Sequence, residues 1–223
     1  MATRPVFRPD RVGGLVTTVE VDFVWVPGMA ASQKRKNVVA LHEAAAREGL
    51  SPLLEASSKS ESELGRRLSA FSLQVELPDG RTTSLESAFQ GSKVFRDGGP
   101  YTDLYDATAR EAKGDARLRE SGPLVAFRLQ GIEAPLIPQT LFYDWLYIST
   151  LAKHEDFLTR LRSYAGFTDI EFNPKKSINC QARSCALLVS LSQRGVLQQA
   201  APSPTELLRV LTSWNTDDSL SLF

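Results

Sequence analysis

The stretch Ser84-Leu85-Glu86-Ser87-Ala88-Phe89-Gln90-Gly91-Ser92-Lys93-Val94-Phe95 decides how this chain is read. As a helix it sets Glu86, Gln90 and Lys93 at i, i+4 and i+7, on one stripe, with Phe89 beside them. A carboxyl, an amide, an ammonium and an aromatic ring make a poor core face and a serviceable wall for a small-molecule site. A plainer alternative stands beside this one. Thr83-x-x-Glu86 has the spacing of a capping box, in which Glu86 only holds the helix start. Gln90 and Lys93 would then be a solvated face, the lysine favoured by the dipole near the helix end.

Working outward, Phe71, Leu73, Val75 and Leu77 alternate as a strand, and Pro78-Asp79-Gly80 after them is a turn. Another half-buried strand spans Val19 to Val26, ended by Pro27-Gly28. Helices are expected from Gln33 to Leu50, briefly around Glu63 to Leu68, and from Ala107 to Glu120. Val125, Phe127 and Leu129 suggest a third strand. The apolar run Thr140 to Leu151 reads as a helix that restarts through Phe157 to Tyr164. Phe167 to Asn179 looks like a loop, and the helix Ser177 to Arg194 is closed by Gly195. Ser203-Pro204-Thr205-Glu206 opens a last helix to Leu211 as a capping box with proline at its first position. The expected class is α+β, mostly α-helical with a few short strands. The expected organisation is one domain over 1–223, comprising a strand–helix extension (1–50), a core (51–212) and a frayed tail (213–223).

The chain has 223 residues, with 26 Lys plus Arg against 26 Asp plus Glu, so it lacks the overall basic field of a nucleic-acid coat. A local patch such as Lys34-Arg35-Lys36 remains open. Cys180 and Cys185 are spaced to point in different directions on a helix. The basic start (Arg4, Arg8, Arg11) is followed by no apolar stretch of signal-peptide type, because Glu20 and Asp22 interrupt Val19 to Val26. No run approaches membrane-spanning length. These features predict a protein of a reducing cytoplasm with no membrane partner. His42 and His154 are the only histidines, and no spacing suits a metal.

Leu68 to Phe95 (LSAFSLQVELPDGRTTSLESAFQGSKVF) resembles the opening signature of the NADAR superfamily. That signature is Ser-Asn-Phe, a short strand, a glycine turn, and a helix reading roughly Glu-His-x-Phe-Gln-Ala-x-Lys. Ser69, Phe71, Glu86, Phe89, Gln90 and Lys93 match it, while Ala70, Ser87 and Gly91 depart from its Asn, His and Ala. Further runs, Leu53 to Ser60, Gly91 to Asp106, Phe142 to Ile148 and Phe167 to Ser184, resemble the NADAR-type antitoxins encoded beside DarT-type DNA ADP-ribosyltransferases. The resemblance implies the NADAR (YbiA-like) fold and N-glycosidase chemistry. It further implies removal of ADP-ribose from guanine bases of DNA, with a DarT-type toxin as partner and no cofactor. Alternatives are an N-glycosidase acting on a soluble ribosyl nucleotide and a non-catalytic module that binds ADP-ribose or the toxin.

Cleaving a ribosyl C–N bond passes through an oxocarbenium-like state that wants a nearby carboxylate and a donor for the leaving base. Glu86 is the candidate carboxylate. Lys93 is a candidate for holding phosphate or ribose, or for acting as a nucleophilic amine. Asp169, Glu171 and Asn173 alternate on one side of an extended segment, with Lys175 after them. An exposed acidic loop would look the same, but family position raises Asp169 as a third catalytic candidate. Asn179 and Arg183 match the start of the superfamily's final helix and are candidates for diphosphate. Tyr101, Asp103 and Tyr105 beside Gly98-Gly99 suggest a loop that contacts a base. Phe71, Phe89, Gln90 and Lys59 complete the candidate ligand-binding set, with Arg66 and Arg67 as further local charge. Trp145 belongs to the same set, although its apolar helix suits core packing better.

Overall fold

The computed structural model describes residues 1–10, 12–28 and 30–215. It begins with a hairpin, β1 (Ala2–Pro9) and β2 (Val16–Phe23), followed by α1 (Ala31–Arg47), β3 (Leu53–Glu55) and α2 (Glu63–Arg67). A second small hairpin, β4 (Gln74–Glu76) and β5 (Thr82–Ser84), leads into α3 (Leu85–Gly91) and β6 (Lys93–Phe95). A 3-10 turn (Thr102–Asp106), α4 (Ala109–Gly114) and α5 (Arg117–Glu120) precede β7 (Leu124–Leu129) and β8 (Ile132–Ala134). The chain closes with α6 (Leu141–Leu151), α7 (Glu155–Leu161), β9 (Gly166–Thr168), α8 (Gln181–Gln193), α9 (Leu197–Ala200) and α10 (Pro204–Asn215). This is the expected mixed α+β architecture. No helix among the described residues is long and apolar enough to cross a membrane.

Two apolar bodies hold it together. The larger surrounds α6 and α8, where Phe127 stacks on Phe142 at 4.6 Å and Phe89 meets Tyr143 edge-on at 5.1 Å. Aromatic pairs at such separations add to the stabilisation from area burial alone. In the smaller, α1 lays Val38, Leu41 and Ala45 on Val6, Val21 and Phe23 of the first hairpin. The hairpin belongs to a four-stranded sheet ordered β2-β1-β9-β3, with β3 and β9 parallel and the other neighbours antiparallel. The first 50 residues therefore share a sheet with β3 and β9.

The decisive stretch is not one helix. It is α3 up to Gly91, then a strand from Lys93, so the stripe joining Glu86 to Lys93 is broken. Gly91 makes the break possible: a Cβ there would meet Cε1 of Tyr105 at 2.5 Å. Beyond it the Lys93 backbone pairs with Phe127 of β7. The cap is different as well. Ser84, not Thr83, accepts the Ser87 amide at 3.0 Å, which leaves Glu86 free of any capping duty.

Other expectations moved for identifiable reasons. The strand over Val19 to Val26 lies at Val16–Phe23 instead. Its partner β1 escaped the alternation rule because Pro5 and Pro9 demote a strand reading. Strands β3, β5, β8 and β9 are three residues long each, too short to show a period. The helix over Ala107 to Glu120 is two pieces, parted where the Asp115 carboxylate accepts the Arg117 amide at 2.8 Å. The helix from Ser177 starts at Gln181, since Ser177 closes a turn onto the Asn173 carbonyl. The last helix continues past Leu211 to Asn215. Arg11 and the tail from residue 216 lie outside the described residues.

Candidate functional site

A cavity of about 680 Å³ opens between α3, α4, α6 and the segment that follows β9. Glu86 stands on one wall in the first turn of α3, with its backbone amide tied to the Ala70 carbonyl at 2.9 Å. The residue is 4 % exposed, so its carboxyl reaches the cavity and little else. Oε1 accepts from Nε2 of Gln90 at 2.9 Å and lies 3.5 Å from Nζ of Lys113. An amide and an ammonium thus hold one oxygen in place.

Asp169 lines the same cavity from the turn after β9. Its Oδ1 accepts the Glu171 amide at 3.0 Å and its carbonyl accepts the Phe172 amide at 3.1 Å. Burial, then the neighbouring carboxylates of Glu55 and Glu171, push its carboxyl up to about 8. Behind it lies a buried polar chain. Glu55 on β3 accepts from Thr168 Oγ1 at 2.7 Å, from the Ile170 amide at 2.9 Å and from Ser57 Oγ at 2.5 Å. Nε2 of His42 sits 2.8 Å from the same Thr168 oxygen, and burial pushes this imidazole down to about 4.

Positive charge faces these acids. Lys59 reaches Glu171 at 3.5 Å, and Lys113 also lies 5.2 Å from the ring of Phe71. Arg110, one turn before Lys113 on α4, and Lys176 complete the basic lining. Phe71 is 41 % exposed at the cavity, which leaves its ring available to a ligand. Phe172 is half-buried at the cavity and packs edge-on against Phe7 at 6.2 Å. Asn179 also lines the cavity, and its Oδ1 is buried with no hydrogen-bond partner.

The structure therefore brings Glu86, Asp169, Lys59, Phe71, Glu171, Asn173 and Asn179 to one cavity. Other candidates do not line it. Phe89 is core, against Phe127 at 5.4 Å and Tyr143. Gln90 acts one step back, as the donor to Glu86. Lys93 lies with its ammonium 4.7 Å from the Phe89 ring centroid; burial and the charge of Lys113 push its amine down to about 8, while Glu86 pulls the other way. Tyr101 bonds Ser121 and carries the Arg117 guanidinium on its ring at 4.4 Å, and Arg117 also pairs with Asp103 at 2.7 Å. Trp145 is buried, donates to the Ala201 carbonyl at 3.0 Å, and borders a separate hollow. Arg183 turns toward α6 and pairs with Asp144.

Sequence reasoning passed over Arg110, Lys113, Lys176, Tyr143, Phe172 and Gln181. Arg110 and Lys113 had a usable signal, since i and i+3 share a helix face. Gln181, whose Oε1 accepts the Ala70 amide at 2.8 Å, and Tyr143 are placed by tertiary packing alone.

The family model described as the DarT1-associated NADAR antitoxin matches residues 2–220, so the chain belongs to that family. A comparison with curated proteins finds no match.

Proposed function

We propose that this antitoxin is an ADP-ribosyl glycohydrolase that removes ADP-ribose from guanine bases of DNA and so reverses the action of a cognate DarT-type toxin. The observation that carries the proposal is the buried Glu86 carboxyl on one wall of a cavity with Asp169 on another, ringed by cations.

Glycosidic hydrolysis needs two carboxyl groups in different protonation states, and environments that push two acids apart assign the roles. Asp169, held up to about 8, is suited to keep a proton at neutral pH and give it to the departing base nitrogen. Glu86 faces the anomeric carbon, stabilises its developing positive charge and takes a proton from the attacking water. The C–N bond breaks, water supplies the hydroxyl on the ribose carbon, and the base leaves with the proton from Asp169. Lys59, Arg110, Lys113 and Lys176 hold the diphosphate, an anion that pairs well with clustered cations. Phe71 stacks on a base at the cavity mouth, and the open carbonyl oxygen of Asn179 accepts from a hydroxyl or an amino group of the ligand. Lys93 contributes positive charge behind Glu86. Water, two acids and bound diphosphate suffice, so no cofactor enters.

The test is release of ADP-ribose from an oligonucleotide carrying ADP-ribosylated guanine, run beside a panel of soluble ribosyl nucleotides. Catalytic release from the oligonucleotide supports the proposal. Turnover of soluble nucleotides alone moves the substrate to that class, and stoichiometric protection without product indicates binding only.

A further inference from the structure

The proposed reaction leaves Glu55 without a task, although it is the most thoroughly enclosed acid beside the cavity. It is 2 % exposed and lies on β3, next to the parallel strand β9 that ends at Thr168. A carboxyl taken out of water at such a place is costly unless every lone pair is met. Here three donors converge on it: the Thr168 hydroxyl, the Ile170 amide and the Ser57 hydroxyl. Thr168 and Ile170 are the residues immediately before and after Asp169.

The hydrogen bonds favour the charge on Glu55. Thr168 has one hydroxyl proton and gives it to Glu55, so the oxygen of Thr168 accepts from Nε2 of a neutral His42. Ser57 likewise gives its proton to Glu55 while its oxygen accepts the Lys59 amide at 3.1 Å. With all three neighbours donating, the anion of Glu55 is the better-met form, while burial pushes its carboxyl up as well. Two carboxyls whose charges raise one another do not both ionise easily. Glu55, with three donors, is the better-met anion, and Asp169, which has fewer hydrogen bonds and is raised by burial and by Glu55, is the better keeper of the proton.

We propose that Glu55 is the positioning residue of the site's acid: by gripping the residues on either side of Asp169 it aims that side chain into the cavity, and by carrying the negative charge of the pair it leaves the proton on Asp169. This rests on the hydrolase reading above. The other charged or titratable groups around Asp169 are Glu171 on its own turn, Lys59 paired with Glu171, Tyr143 and Tyr147 from α6, Cys180 and Cys185 from α8, and Lys176 across the cavity. Among them Glu55 is a charge that is both buried and bonded to the Asp169 segment, which makes it the strongest of the charge effects on Asp169, second to burial.

The test is Glu55→Gln in the full chain. Glutamine keeps the shape: its oxygen still accepts from Ile170 and Ser57, and its amide donates to the Thr168 oxygen. Only the charge is lost. ADP-ribose release from the modified oligonucleotide is followed between pH 5 and 9. The expected result is a basic limb of kcat/KM displaced downward by about one pH unit or more, with kcat at pH 7.5 lowered about threefold or more and a nearly unchanged KM. A limb that stays in place, or a loss of rate equal at every pH, overturns the inference. A second measurement separates it from the function itself: carbon-13 titration of the Asp169 carboxyl in the parent and in Glu55→Gln. If the parent cleaves no substrate, the hydrolase reading fails, while the titration still decides whether Glu55 keeps the proton on Asp169. An Asp169 signal that titrates identically in both proteins sinks the inference.

Discussion

Nη1 of Arg183 lies 2.6 Å from Oδ2 of Asp144, a carboxyl that also accepts from Ser184 Oγ at 2.6 Å. The pair ties α8 to α6, and the Asp144 side chain is almost wholly enclosed. Removing one partner of such a pair leaves the other charge buried and unmet. Arg183→Ala is expected to cost about 3 kcal/mol of stability in chemical denaturation. The KM of the surviving folded fraction should stay near that of the parent. A diphosphate ligand at Arg183 would reverse the pattern, with an intact fold and a KM raised many-fold.

Asp169 should make the protein less stable as the pH rises. Its folded value is raised from the ordinary 3.8 to about 8, chiefly by burial. Its contribution to stability is therefore full below about pH 4 and lost as the pH climbs toward 8. Asp169→Asn removes that loss while its oxygen can still accept the Glu171 amide. Each tenfold change in proton affinity is about 1.4 kcal/mol. The variant should thus melt above the parent at pH 7.5, by about 2–4 °C for each kcal/mol recovered in a chain of this length, with the difference fading near pH 4. Its turnover should be abolished. Equal melting temperatures across that range would contradict the raised value.

How the sequence came so near the site, and where it stopped, follows from what kind of signal each residue gives. Glu86 and Asp169 were legible because short motifs carry them and neither suits a core face. Lys93 was misplaced, since the helical stripe assumed that α3 continues past Gly91. A glycine gives no periodic warning; the reason for it is the ring of Tyr105 pressed against it. Glu55 was passed over within the Leu53 to Ser60 run, because β3 is three residues long and its partner β9 lies more than a hundred residues away. Arg183 was ambiguous on spacing alone: an arginine early in a helix can face a ligand or a neighbouring helix, and only the packing of α8 on α6 decides.

The cations should act mainly on affinity, with Lys113 also touching the chemical step through the Glu86 oxygen it holds. Lys113→Ala removes the ammonium 3.5 Å from Glu86, and Arg110→Ala removes its neighbour one turn earlier. Each is expected to raise KM for the modified oligonucleotide about tenfold, as lost contacts to a charged group do. The parent's KM should also rise more steeply with salt than that of the double variant. A salt dependence that the double variant fully retains would place the diphosphate elsewhere.

The central claim is that the Glu86 carboxyl does chemistry rather than hold the fold. Its side chain caps nothing, since Ser84 fills that position. Glu86→Gln keeps a carbonyl oxygen to accept from Gln90 and changes the size of the side chain very little. The direct measurement is single-turnover release of ADP-ribose from a guanine-modified oligonucleotide by the parent and by Glu86→Gln, with melting temperatures taken on the same samples. The expected result is matching stability, retained binding and a rate lowered by about a thousandfold or more. A variant that hydrolyses within a few-fold of the parent contradicts the account.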